Sequence, residues 1–265
     1  MTPVPLLDIK DLKKSYDGET LALNNINLSF YEKEFVVIIG PSGSGKSTFI
    51  RSINQLIQPT SGSIVFDGKE LMGASKKKLQ KIRSKIGMIF QDYNLIGRTN
   101  VLKNVLNGKL GQLSQWQTLF NRFSPEDVNK AVEYLKKVGL EGHIYKRANE
   151  LSGGQQQRVG IARALMQDPK LLLADEPIAS LDPKSSIVVM DTLKTLATEK
   201  GIACIVNLHQ VDIAVKYATR IIGIRKGKVV FDDIPTKLTD EIIQNIYEGK
   251  EFEAIQTTTL GDRDE

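Results

Sequence analysis

"FVVIIGPSGSGKSTF", residues 35–49, decides the fold. Its first six residues are an apolar run of strand length, and its end opens an amphipathic helix expected from about Lys46 to Leu56. Between them Gly40, Pro41, Ser42, Gly43, Ser44, Gly45, Lys46, Ser47 and Thr48 fit the spacing G-x-x-x-x-G-K-[ST] in its required strand-then-helix context. The glycines let backbone N–H groups wrap around phosphate oxygens in conformations that larger side chains take at a cost. Lys46 then neutralises the β- and γ-phosphates of a nucleotide, Ser47 ligates Mg²⁺, and Thr48 adds a phosphate contact.

On the N-terminal side, "LLDIKDLKKSY" and "LALNNINLSF" read as strands separated from each other and from residue 35 by "DGET" and "YEKE", so the opening is β-rich. On the C-terminal side, "SGSIVFDGKEL" reads as a strand with an Asp67-Gly68 turn, and "IGMIFQ" as another strand. The pattern turns helical from about residue 95 to 150. There Ser124-Pro125-Glu126-Asp127 supplies a cap, a proline at the first helical position and acids in the first turn, and Gly139 closes the helix. This segment reads as a helical lobe, placed at about 95–165, inserted into the core.

Beyond it, strand "KLLLAD", helix "SSIVVMDTLKTLATEKG", strand "IACIVNLH", helix "VDIAVKYAT" and the hairpin-like "RIIGIRKGKVVFD" alternate. Strands alternating with helices predict a mainly parallel, helix-covered sheet. A short helix around "DEIIQNIYEG" precedes a polar tail, expected to fray at 257–265. One domain over 1–256 is expected, and no internal repeat is visible.

Composition sets limits on function. The 265 residues carry 36 Lys and Arg against 31 Asp and Glu, a net charge of +5, which suits polyanionic ligands without choosing among them. No apolar run nears the roughly 18 residues of a membrane span, and the start lacks the pattern of a secretory signal, so a cytosolic chain is expected. The lone cysteine, Cys204, excludes a disulfide framework and reads as a buried thiol in an apolar run.

Two further stretches carry chemistry. In "LLLADEP" an apolar strand ends in Asp175, placing a carboxylate at the sheet edge where it can hold Mg²⁺ through water. Glu176 follows and is placed to orient or deprotonate a water attacking the γ-phosphate. In "LSGGQQQRVGIARAL", residues 151–165, a capping serine and two glycines start a helix whose free N–H groups and dipole suit an anion. No lysine or metal carboxylate adjoins it, so it reads as half of a site.

"GPSGSGKST", "LSGGQ", "LLLADEP", "SLD" at 180–182 and the histidine ending "IVNLH" occur in an order that resembles the ATP-binding subunits of ABC transporters. The resemblance runs over nearly the whole chain. It implies an α/β P-loop NTPase with a mainly parallel helix-covered sheet, an N-terminal antiparallel β subdomain and an inserted α-helical subdomain. It also implies ATP and Mg²⁺ as ligands, with Ser47, Gln91 and Asp175 at the metal. Tyr16 matches the aromatic that stacks on adenine. Gln91 matches the glutamine that touches Mg²⁺ or water and senses the membrane partner, and His209 the histidine that bonds the γ-phosphate. Ser180, Leu181 and Asp182 match the loop coupling two sites. Ser152, Gly153, Gly154 and Gln155 match residues that grip the γ-phosphate of an ATP bound to an opposing subunit.

The implied assembly is a homodimer of ATPase subunits on the cytoplasmic face of the cell membrane, under two permease subunits fed by an extracytoplasmic substrate-binding protein. The expected docking place for a permease helix is near Gln91 and Asp92 to Arg98. Within the family, "FQDYNLIGRTNVLKNVLNGKLG", the Trp116–Phe120 stretch, "ADEPIASLDP" and "IVNLHQVDIA", with Asn207 where many relatives have threonine, resemble the ATPases of phosphonate importers. Importers of phosphate, phosphite or another small solute share most of these motifs. A soluble cassette acting on nucleic acid is the main rival of another class, but the chain has one cassette and no long heptad region, so no nucleic-acid partner is expected. A metabolic kinase would leave "LSGGQ" unexplained.

Overall fold

The computed structural model of the chain describes residues 3–113 and 123–247. The Trp116–Phe120 stretch and the tail at 257–265 lie outside the described residues. The first elements are β1 (Leu7–Ser15), β2 (Leu21–Phe30), β3 (Phe35–Ile39), α1 (Lys46–Ile53), β4 (Ser61–Phe66) and β5 (Lys69–Glu70). Next come α2 (Lys76–Arg83), β6 (Ile86–Ile89), α3 (Val101–Leu106), α4 (Pro125–Lys137), α5 (Gly153–Leu165), β7 (Leu171–Ala174) and α6 (Pro183–Lys200). The last are β8 (Ala203–Asn207), α7 (Val211–Tyr217), β9 (Arg220–Arg225), β10 (Lys228–Asp233) and α8 (Asp240–Ile246). Two compact units emerge, Met1–Ala74 with Ala203–Glu265, and Ser75–Ile202.

In the first unit an antiparallel sheet runs in the order β2-β1-β4-β5, as the β-rich opening predicts. Leu7 and Ile9 of β1 are buried, and the next buried residue is Leu12, so strict alternation would turn Leu12 outward. The register shifts between Ile9 and Leu12, and Asp11 takes a left-handed φ of 48°. This bulge returns Leu12 to the core, and the Asn27 side chain accepts the Asp11 N–H at 2.9 Å. Asp67 and Gly68, with φ of 50° and 69°, make the tight turn between β4 and β5.

The same unit holds β3 between parallel neighbours β8 and β9, with β10 antiparallel to β9. All five residues of β3 and of β8 are buried, as suits strands covered on both faces. Each fully buried aliphatic side chain, such as Ile38 or Val206, contributes about 1.5–3 kcal/mol of transfer free energy. Cys204 is buried and forms no disulfide, as expected. The P-loop helix ends at Ile53, three residues before the expected Leu56.

In the second unit β6 and β7 pair in parallel, and every residue of both is buried. Helix α4 starts with the expected cap: Ser124 accepts the Asp127 N–H, Asp127 accepts back from Ser124, and Gly139 just beyond the helix end takes a φ of 68°. Helix α2, which the sequence pattern does not foresee, carries five basic residues, Lys76, Lys77, Lys78, Lys81 and Arg83, and buries only Ile82. Its apolar periodicity is too sparse to read.

Candidate functional site

In the first unit, β3 delivers the chain into the loop at Gly40, whose φ is 149°. A Cβ on Gly40 would run into the carbonyl oxygen of Ile224, and one on Gly45 (φ 108°) into that of Ala22. Both the conformation and the space therefore require glycine at these two positions. Gly45 caps α1 with no side-chain hydrogen bond, and no acidic residue occupies the helix's first turn. Helices α2 to α6, in contrast, are capped by Ser75, Asn100, Ser124, Ser152 and Asp182. The amide donors of α1 thus remain available to an anion. Ser44 adds a buried hydroxyl with no hydrogen-bond partner, at the same loop. The cradle fits a polyphosphate.

Lys46 is only 4% exposed, and its ammonium donates to the carbonyls of Gly40 (2.6 Å) and Pro41 (2.9 Å), so the charge is parked on the loop it serves. Ser42 and Gly43 are exposed at the loop tip; Pro41, Ser47 and Thr48 are half-buried. Thr48 Oγ1 lies 3.2 Å from the hydroxyl of Tyr16, whose ring is 65% exposed and has the Lys14 ammonium 4.9 Å from its centroid. An open aromatic face beside the loop is what a flat base needs. His209 is half-buried just past β8, after Leu208, whose N–H donates to Ile38 at 3.0 Å. Its backbone carbonyl is joined to the loop through Tyr247, whose hydroxyl accepts the Gly40 N–H (3.1 Å) and donates to the His209 carbonyl (3.4 Å). The first unit therefore gathers the P-loop, Tyr16 and His209.

In the second unit Asp175 is fully buried directly after β7, and its N–H donates to Ile89 at the end of β6 (3.0 Å). Half-buried Gln91 lies two residues past Ile89. The structure thus brings Asp175 and Gln91 to the ends of adjacent strands. Half-buried Glu176 has a φ of 50°, a left-handed conformation that strains a residue with a Cβ by about 1–3 kcal/mol. Such strain gathers where function fixes a side chain.

Helix α5 begins in a full capping box: Gln155 N–H donates to Ser152 Oγ (3.4 Å), and Ser152 N–H to Gln155 Oε1 (3.0 Å). A Cβ on Gly153 would stand 2.7 Å from the Tyr93 hydroxyl and 3.1 Å from Leu181, and one on Gly154 would stand 3.1 Å from Ser185 Cβ. Tyr93 and the segment after Ser180 thus pack closely on the helix start at both glycines. Ser180 is exposed, Leu181 half-buried, and Asp182 caps α6 by accepting the Ser185 N–H at 2.9 Å. Hydrogen bonds from Ser185 hold the Asp182 carboxyl below its ordinary range.

Tyr93 and Arg163 in this unit, and Tyr247 in the other, carry no sequence signal of the contacts they make. Arg163 donates to the carbonyls of Tyr93 (2.8 Å) and Asn94 (2.5 Å), two consecutive residues with left-handed φ of 58° and 48°. It thereby holds the segment after Gln91 in shape.

An uncapped helix behind a buried strand answers to the phosphates of a nucleotide, and a second, glycine-started helix in the other unit gives the chain the anatomy of an ATP-binding cassette. A family model described as ABC transporter matches residues 23–179, and the chain belongs to that family. Its fold is the expected α/β P-loop fold of ABC ATPases. Among curated relatives, the phosphonates import ATP-binding protein PhnC 2 of Halalkalibacterium halodurans is 53% identical over 243 residues, 92% of this chain and 100% of that protein. The PhnC 2 protein of Oceanobacillus iheyensis is 50% identical, covering 94% of this chain and 98% of its own. Among solved structures, the dimeric post-hydrolysis state of the ATP-binding cassette MJ0796 bound to ADP and Pi superposes with a TM-score of 0.76 at 39% identity. That match covers 86% of this chain and 98% of MJ0796. The cbiO1 protein of Clostridium perfringens, part of the ABC transporter complex cbiONQ, gives 0.77 at 33% identity, over 91% and 94% of the two chains. Among the described residues no helix is long and apolar enough to cross a membrane.

Proposed function

We propose that this chain is the ATP-binding and ATP-hydrolysing subunit of an importer for phosphonates, attached peripherally to the cytoplasmic face of a membrane through a permease. The observation that carries the substrate class is the 53% identity to a phosphonate-import ATPase over that protein's entire length. The partners proposed with it are a second copy of this chain, two permease subunits and an extracytoplasmic binding protein.

The reaction is ATP plus water to ADP plus phosphate. The amides of the loop before α1 and of its first turn bind the β- and γ-phosphates, and Lys46 exchanges the Gly40 and Pro41 carbonyls for phosphate oxygens, a stronger, charge-assisted partnership. Tyr16 stacks on adenine with its exposed face. Ser47 of the first unit and Asp175 and Gln91 of the second each carry an oxygen donor and are the residues that would hold Mg²⁺, which when bound would offset the phosphate charge. Glu176 orients the attacking water and takes its proton, and His209 bonds the γ-phosphate. Ser152, Gly153, Gly154 and Gln155 present the α5 N-terminus to the γ-phosphate of an ATP on the partner subunit, with Ser180, Leu181 and Asp182 linking the two sites. MJ0796, 39% identical, forms a dimer bound to ADP and Pi, which supports this arrangement. Closure by ATP and release by hydrolysis then turn chemistry into motion.

The test is ATPase activity of the chain reconstituted in liposomes with its permease and binding protein, adding an alkylphosphonate, phosphate, phosphite or methionine in turn. Selective stimulation by the phosphonate is the expected result. Stimulation by another solute keeps the importer and replaces the substrate; no response from a formed assembly overturns the importer reading.

A further inference from the structure

Tyr247 stands one residue past α8 and is 3% exposed. Ile246 before it is fully buried against Gly223 of β9, so tightly that a Cβ on Gly223 would lie 2.6 Å from the Ile246 Cδ1. The Arg225 guanidinium donates to the Asn245 backbone carbonyl (2.5 Å) and side-chain oxygen (2.8 Å). The end of α8 is thereby pinned to β9 from two directions, and the phenol is held in place rather than free to swing. Its hydroxyl bonds in both directions: it accepts from the Gly40 N–H and donates to the His209 carbonyl. Gly40 is where β3 becomes the P-loop, and His209 is where the adjacent parallel strand β8 has just ended. One buried oxygen thus spans the two strand ends from which the phosphate cradle and the histidine depart.

We infer that Tyr247 is a positioning residue for ATP hydrolysis, setting the placement of His209 relative to the P-loop through this two-sided hydrogen bond. The inference rests on the reading of His209 as the γ-phosphate partner. Nucleotide affinity resides in the loop amides and Lys46, and the Tyr247 hydroxyl meets the loop at Gly40, where β3 ends. The geometry of the hydrolytic step depends on where His209 sits, and small misplacements of a reacting group are expensive there. Helix α8, remote in sequence from every motif, then acts as a brace for the catalytic centre.

The experiment is a double-mutant cycle in the full chain, Tyr247→Phe, His209→Ala and the pair, read as single-turnover hydrolysis, nucleotide Kd and melting temperature. Tyr247→Phe keeps the buried ring and removes only the bridging oxygen. Expected is a loss of about tenfold in hydrolysis, with Kd changed by less than about twofold. In the His209→Ala background the same substitution should have no further effect, because its route runs through the histidine. An equal loss in both backgrounds would show a merely structural role and overturn the inference, as would unaltered hydrolysis in Tyr247→Phe beside a collapse in His209→Ala. Normal hydrolysis in His209→Ala would remove the reading of His209 itself, and the inference with it. All rates are taken well below the lowest melting temperature, so that a smaller folded fraction is not mistaken for slower chemistry.

Discussion

Lys46 is proposed to serve two states with one side chain. Burying an ammonium is costly unless it is hydrogen-bonded, and the two loop carbonyls supply those bonds here. Lys46→Ala should therefore leave the fold intact while weakening ATP binding roughly tenfold or more, measured by titration with a fluorescent ATP analogue. Unchanged affinity would mean that the lysine does not reach the phosphates. Asp182 gives a pH-dependent case. Its carboxyl is held low by the Ser185 hydrogen bonds, so its contribution to stability is present above the ordinary aspartate pKa of about 3.9 and fades as pH falls through the lowered folded value. Asp182→Asn keeps an oxygen acceptor for the cap and does not titrate. Its melting temperature should lie below that of the parent near neutral pH and converge on it as pH falls below the ordinary aspartate pKa of about 3.9 and through the lowered folded value. A gap that widens on acidification would show that another group sets the acid limb.

At the scale of elements, α4 and α5 begin with capping boxes of the same construction, one built on Ser124 and Asp127, the other on Ser152 and Gln155. Only the second has two glycines behind the cap and is proposed to meet a phosphate. Ser124→Ala and Ser152→Ala should each lower stability by about 1 kcal/mol in urea titrations, and only Ser152→Ala should also depress ATP hydrolysis. An equal effect on hydrolysis would reduce α5 to an ordinary capped helix. The boxes, the P-loop and the Asp67-Gly68 turn are legible in sequence because each is closed by residues within a few positions of one another. Helix α2 is not, because its lysines hide a single buried Ile82. Tyr93, Arg163 and Tyr247 are invisible for another reason. Arg163 grips carbonyls about seventy residues earlier, and Tyr247 an amide 207 residues away, so their roles exist only after folding.

For the molecule as a whole, the α5 N-terminus carries the remaining question. It has amide donors, a dipole and two glycines, yet no lysine or metal carboxylate adjoins it in sequence, so by itself it holds an anion weakly. An ATP already anchored in the P-loop of another copy would supply the missing affinity, and the cost of association would be met only while the γ-phosphate bridges the two chains. Blocking hydrolysis should then trap the bridge. Glu176→Gln preserves size and hydrogen bonding at the strained position but removes the charge proposed to orient and deprotonate water. Its turnover should fall at least about a hundredfold. With ATP it should elute as a dimer carrying one nucleotide per chain, and with ADP as a monomer, in size-exclusion chromatography with light scattering. Adding Ser152→Ala to Glu176→Gln should return the ATP-loaded protein toward monomer, because the trapped state needs the α5 start of the opposing chain. If Glu176→Gln dimerises equally with ADP, the contact does not depend on the γ-phosphate and ATP is not the bridge. If it hydrolyses ATP at the parental rate, the carboxylate following β7 has no catalytic role and the base must be sought elsewhere.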